Sequence, residues 1–546
     1  MCTRELFGIC FVPAGSSSDS IFGFSAFISA LALLFVVYTI TGERYKFRIA
    51  TAPIPLYIIS FYMMLFIGIG VLVSELWVNL GWLTPDFNLS QSLWQAIFAV
   101  LFLITLCLWA YFGFISPPKF GKNNYKQFIN QLYVRILDGN VDVLKEVASE
   151  ITPSIRHIVT CASGNKSECK DYAHDILLLI ANKRFCEIIA EYHPNLIIEL
   201  YESLTVENIQ TLPIAQFTKN TATAAIINSN SLLHHEGDGF SSGLIGYIKP
   251  LSISMFGNIE KIEALHKKWA SPVIADLPYF DLKHDQFQVY CDSALTVIRA
   301  YLDAGWWRKH SYAINYAFSE IKTKSTCLYE INGNLTDCYH LESYKNFRVA
   351  VKFITSIIKL IEDHPSVANL TPYKLRKNEE ERCQYIDLYD LTADLMFELT
   401  LAAANVNADK DTCWLIQYNS FWSKLVCFNN SKTRNYILKK YYRQMYDEIK
   451  RMETFPNFKS ARLLGFCLNI FGLKVPTKAD YGKVYFSLRK VVVNWTIHNY
   501  ENIRKEYTRV AEACLIGSIT YKEKKLIKTY CLATRDEATI ETLELK

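Results

Sequence analysis

Near residue 120 the apolar positions of this chain change character. Before that point they run together, in Ile21 to Ile40, Pro55 to Trp77 and Leu93 to Ile115, with no charge near the centre of any run. Each run is about 20 residues long, which at helical rise matches a hydrocarbon core of roughly 30 Å. Unpaired backbone groups are not tolerated in lipid and three strands cannot close a barrel, so the pattern predicts three transmembrane helices. Small residues recur at four-residue spacing in the first run (Ser25 and Ser29, Ala26 and Ala30) and in the second (Gly70 and Ser74), which lets helices approach closely. Glu75, beside the outer interface, is the ionisable exception.

Beyond residue 120 the apolar residues return every three or four positions. Phe128, Ile129, Leu132, Tyr133 and Ile136 make one stripe, broken at Asp138-Gly139-Asn140 and resumed through Val141 to Ala148, which predicts a helix-turn-helix pair. Helical spacing continues through Glu168 to Ser203, Val206 to Phe217 and Ala222 to Ile227. After an irregular stretch, Asn228 to Asn258, it resumes in His284 to Asp303, Trp306 to Lys324, Ser343 to Asp363, Glu379 to Val406, Thr412 to Phe428, Lys432 to Met452, Lys459 to Phe471, Lys483 to Val510 and Lys522 to Thr534. No run of alternating strands large enough for a major sheet stands out.

Most of these helices are one-sided. In Ser343 to Asp363 the apolar residues cover one side while Lys352, Lys359 and Glu362 lie mostly off it, and such a stripe has to be buried against neighbours. The expected fold is therefore all-α: three N-terminal transmembrane helices followed by a large cytoplasmic helical domain, a layered bundle or irregular solenoid. Residues 1–20 form a short outer tail and 21–115 the anchor. Residues 116–123, with Pro117 and Pro118, read as a linker, and 124–364 and 378–546 as two parts of the helical domain separated by the polar segment Pro365 to Lys377.

Charge gives the orientation. Thr41 to Ala52 carries Arg44, Lys46 and Arg48, and Lys119, Lys122 and Lys126 follow the third run, whereas Val78 to Ser92 has Asp86 and no Lys or Arg. Positive flanks stay inside, which puts the N-terminus outside and the helical domain in the cytoplasm of a plasma (inner) membrane. Trp77, Trp82, Trp94, Tyr38 and Tyr111 suit an interfacial belt, and Trp109 fits it less well. The N-terminus lacks the basic lead and cleavage site of a removable signal. A net charge of +5 with interspersed signs implies no nucleic acid. The 15 cysteines contain no C-x-x-C and mostly face a reducing side, with Cys2 and Cys10 alone placed where a local bridge can form.

Candidate chemistry is sparse. His234, His235 and Asp238 sit on a Gly-rich loop of the kind that ligates metals or cradles anions, but they lack the i, i+4 spacing of a helical zinc site, and no metal is expected. Trp306, Trp307 and Arg308, followed by Lys309 and His310, mix indoles with cations in a way that suits lipid headgroups or ligand stacking; a plain helix start with the Trp residues in the core is the simpler alternative. The dipeptides His174-Asp175 and His284-Asp285 do not have the spacing of a phosphohydrolase site. The cations of Lys432 to Arg451 are diluted by Asp447 and Glu448 and read as a solvated face. No catalytic residue and no cofactor is assigned.

The resulting expectation is a multi-pass membrane-anchored protein whose helical domain acts by binding, as a scaffold, sensor or effector; a bacterial stress or phage-defence effector is one form of it. Its partners would be the lipid bilayer and a protein partner or second copy. The alternatives are an oligomeric channel or transport component and a membrane-bound hydrolase using loop 234–246.

Overall fold

In a computed structural model, which describes residues 4–6, 9–13, 22–40, 42–85, 91–236, 249–279, 281–307, 309–333, 338–364, 387–427, 431–477, 485–530 and 539–546, the second and third apolar runs are continuous helices. Leu56–Asn79 and Ser92–Ile115 have 24 residues each and are long and apolar enough to cross a membrane. The first run forms a shorter helix, Phe24–Ile40, of 17 residues. Two helices rather than three therefore meet that length. The shortening has a local cause: the Phe24 N–H donates to Glu75 Oε1 at 2.9 Å at one end, and Gly42 already opens another helix at the other. Glu75 thus supplies negative charge at a helix N-terminus, where it is favourable.

The three helices meet through aromatic rings set into hollows. Phe27, Ile67, Val71, Phe98 and Phe102 form a buried cluster. A Cβ on Gly68 would lie 2.8 Å from the Phe27 ring, and one on Gly70 2.4 Å from the Phe98 ring, so glycine at both positions lets the rings seat this closely without shifting. In the first helix Ser25, Ala26 and Ser29 are exposed, and of the small residues only Ala30 packs on the cluster. Outward faces are apolar: Phe61, Phe66, Val100 and Leu103 are all more than half exposed.

The stretch expected as a loop between the first two runs contains a helix, Glu43–Ala50. Ile49 on it joins Ala52, Leu56 and Trp109 in a second buried cluster, which explains why Trp109 does not suit an interface: it is a packing residue. The last turn of the third run widens to a π-helix, Tyr111–Ile115, before Pro117 and Pro118.

Most of the described chain is helical, and it divides into two units, Met1–Phe217 and Thr218–Lys546. In the first, Tyr125–Asp138, Val141–Ile151, Ile155–Ser163, Glu168–Leu179, Lys183–Tyr192 and Pro194–Ser203 pack as layered helices on one another, capped by Asn140, Ser167 and Asn182. In the second, Glu342–Asp363 packs on His284–Asp303, Tyr312–Ser325 and Leu388–Ala404. Trp422 is buried there among Tyr441, Phe466, Phe471 and Tyr485. The segment Pro365 to Lys377 lies outside the described residues.

Two small antiparallel sheets were not expected. One joins Arg4–Leu6, Ile9–Pro13 and Leu83–Pro85 in that order. The other, Ile519–Lys522, Lys525–Tyr530 and Thr539–Glu544, replaces the helix expected over Lys522 to Thr534. Its first turn places Glu523 and Lys524 at φ of 48° and 58°, the left-handed pair that a two-residue hairpin needs. Neither residue is Gly or Asn, so the usual hairpin signal is missing. Among the described cysteines, Cys161, Cys169, Cys186 and the rest form no disulfide, while Cys2 and the Cys10 side chain lie outside the described residues.

Candidate functional site

The described residues among those singled out in the sequence are held by separate local contacts. His234 is half-buried with Nε2 2.8 Å from the Ile226 carbonyl, and His235 is exposed. Their neighbour Glu236, which is buried, accepts from Leu251 N at 2.6 Å, from Ser252 N at 3.0 Å and from Ser252 Oγ at 2.5 Å. Its carboxylate therefore caps the helix Pro250–Phe256. Asp238 lies outside the described residues. Among the described residues no group of three or more His, Cys, Asp or Glu is placed to hold a metal ion.

Trp306 and Trp307 precede a helix instead of opening one. That helix is Tyr312–Ser325, because Ser311 caps it and Glu263 accepts from both Ser311 Oγ, at 2.5 Å, and Ala313 N, at 3.0 Å. Trp307 is a core residue, edge-on to Tyr389 with centroids 4.9 Å apart, while Lys309 Nζ sits 3.3 Å over the Trp306 ring. Arg308 lies outside the described residues. His174 faces the Ala162 carbonyl at 3.0 Å, and His284 pairs through Nδ1 with Glu342 at 2.9 Å. In the Lys432–Lys450 helix Lys439 and Lys450 are exposed, but Lys440 is buried and paired with Asp390 and, at 3.8 Å, Asp387; the expected solvated face holds only in part.

Two other constellations do converge. In the first unit Glu150, on the Val141–Ile151 helix, is gripped by the inter-run helix: Arg48 Nε donates to Oε2 and Arg48 Nη2 to Oε1, each at 2.7 Å, and Arg44 Nε reaches Oε1 at 2.5 Å. Arg48 Nη1 also donates to the Gly113 carbonyl, at 2.9 Å, in the π turn that ends the third run. Buried Asn124 adds a second tie, donating to Thr51 O at 2.8 Å and Lys119 O at 3.0 Å. The 116–123 linker is thus fastened on the same side as the inter-run helix.

The second constellation is a cleft of about 700 Å³ in the other unit, with Lys345, Arg348, Lys352 and Lys424 in its lining and no carboxylate among the lining residues. Lys345 donates to Glu342 Oε1 at 2.8 Å and Lys352 to the Gln288 side-chain oxygen at 3.3 Å. Among the described residues no carboxylate forms an ion pair with Arg348, Lys352 or Lys424. Tyr344 is buried below, with its hydroxyl 2.7 Å from Ser420 Oγ, and the half-exposed Tyr339 ring stands edge-on to it at 5.6 Å. The opposite wall is a π-helix, Leu415–Trp422; its wider turn brings Leu415, Asn419 and Ser420 to the cleft while Gln417, Phe421 and Trp422 are buried. At the rim, burial opposes ionisation of Glu342, but hydrogen bonds from Lys345 and His284 outweigh it and bring the carboxyl down to about 2. Sequence reasoning passed over this cleft. Its signal was the cation spacing of Lys345, Arg348 and Lys352, one face of a helix at i, i+3 and i+7.

The chain matches no family model and no curated protein. Among solved structures, the crystal structure of an engineered protein is similar over 72% of this chain and 97% of its own, at 13% identity and a TM-score of 0.18, a likeness too low to carry any argument.

Proposed function

We propose that this chain is a membrane-tethered sensor or effector that acts by binding. Its two long apolar helices hold it in a bilayer with the shorter Phe24–Ile40 helix packed on them, and the helical units lie on the inner, basic-flanked side. Support for the tether comes from helices that expose their apolar faces: only 17% and 22% of the two long apolar windows is buried, where the core helix of a soluble protein would be covered. Arg44 and Arg48 against Asp86 support the sidedness.

The observation that carries the reading is the junction at Glu150. An inert anchor needs only a flexible leash, whereas here the inter-run helix, the end of the third run and the first layer of helices share one buried carboxylate. Such a fixture transmits a movement of the helical body to the membrane helices. Reporter fusions test the placement. Alkaline phosphatase fused after Leu80 is active, and a green fluorescent protein fused after Lys546 is bright; phosphatase activity after Lys546 with a dark fluorescent fusion overturns the sidedness.

A further inference from the structure

The cleft beside Glu342–Asp363 gathers positive charge that its surroundings answer only in part. Arg348 and Lys352 are four residues apart on one helix face, and Lys345 and Arg348 three apart, arrangements in which like charges destabilise a helix. Only Lys345 is matched, by Glu342. Lys424 adds another cation from beyond the π-helix, so three exposed cations line one cavity: Arg348, 5.9 Å over the Tyr344 ring, Lys352, which feels the charge of Asp292, and Lys424, none in an ion pair with a carboxylate among the described residues. Repulsion of this kind is relieved by an anion that the three cations share.

The cavity also limits what that anion is. At about 700 Å³ it has the size of small-molecule sites and far exceeds a single phosphate. Its remaining lining mixes polar residues with aromatic and aliphatic ones, with the Tyr339 ring 48% exposed beside Tyr344 and with Val349 and Leu415 nearby. Flat apolar surface next to three cations fits a ligand with a planar ring at one end and several negative charges at the other. Asn419 and Ser420 offer polar atoms between the two parts.

We infer that this cleft binds a nucleoside di- or triphosphate, with the phosphates on Arg348, Lys352 and Lys424 and the base against Tyr339. This names the ligand class for the sensor proposed above and rests on that reading for its purpose alone. Binding is read in micelles and sidedness by reporter fusions, so the two fail separately.

The test uses the full chain in detergent micelles with a fluorescent N-methylanthraniloyl derivative of each of the four ribonucleoside triphosphates. At least one binds saturably and is displaced by its unlabelled parent. Arg348→Glu and the milder Arg348→Gln weaken binding by about tenfold or more, as does Lys352→Glu, while the thermal midpoint stays put. Tyr339→Ala weakens the nucleotide about fivefold or more and leaves competition by pyrophosphate unchanged. Failure of all four nucleotides to bind overturns the assignment. So does binding that survives charge reversal at Arg348 and Lys352, or pyrophosphate competing as well as the parent nucleotide with Tyr339→Ala silent. Dihexanoyl phosphatidic acid displacing the probe better than nucleotide overturns it in favour of a lipid headgroup.

Discussion

Arg48 and Glu150, 102 residues apart in the chain, form a two-point ion pair with both hydrogen bonds at 2.7 Å and side-chain exposures of 9% and 4%. The carboxylate raises the guanidinium above its ordinary value, chiefly through the hydrogen bond. Removing one partner leaves a buried charge unanswered. Arg48→Met therefore costs the first unit about 3–5 kcal/mol, and adding Glu150→Leu recovers most of it because two apolar side chains then fill the site. Thermal unfolding in micelles checks both; Arg44, half-exposed, returns to water in the double variant.

Lys528 gives the second unit a pH dependence. It is 1% exposed, donates to the Asn469 carbonyl and lies 4.4 Å from the centre of the Tyr530 ring. Burial, reinforced by the charge of Arg489, brings it from 10.5 down to about 8. Below pH 8 folded and unfolded chains both hold the proton and the folded state bears the full burial cost. Between 8 and 10.5 the folded chain has released it and the unfolded chain has not, so stability rises with pH across that window. The gain is on the order of 3 kcal/mol at most. Urea midpoints at pH 7.5 and 9.5 show the rise in the native chain and lose it in Lys528→Met.

Glu236 is a structural carboxylate. Glu236→Gln keeps the shape but removes the charge facing the Pro250–Phe256 helix, and Glu236→Ala removes the acceptor of three hydrogen bonds. Losses of about 1 and 2 kcal/mol follow, measured by urea unfolding. His235→Ala, at an exposed position, leaves the midpoint within about 0.5 kcal/mol.

How far the sequence could be read depends on which residues carry the signal. Helices with one-sided stripes, such as His284 to Asp303, appear with the expected bounds because burial of the stripe decides them. The Lys525–Tyr530 strand was missed because its turn uses Glu523 and Lys524 in a conformation those residues rarely adopt. The Glu43–Ala50 helix was hidden by its basic residues, which were read as a loop's charge, whereas the structure puts Arg48 in a buried ion pair. His234, His235, Trp306 and Trp307 drew attention as uncommon residue types, yet His234 bonds a backbone carbonyl, its neighbour Glu236 caps a helix and Trp307 packs in the core. Common lysines and an arginine make the converging cleft, and only tertiary structure brings Lys424 to Arg348 and Lys352.

Extraction of membranes bearing this chain with alkaline carbonate tests the tether most directly. The chain with its apolar helices intact stays in the pellet, and a chain lacking residues 22–115 moves to the supernatant. Recovery of the intact chain in the supernatant would contradict the account.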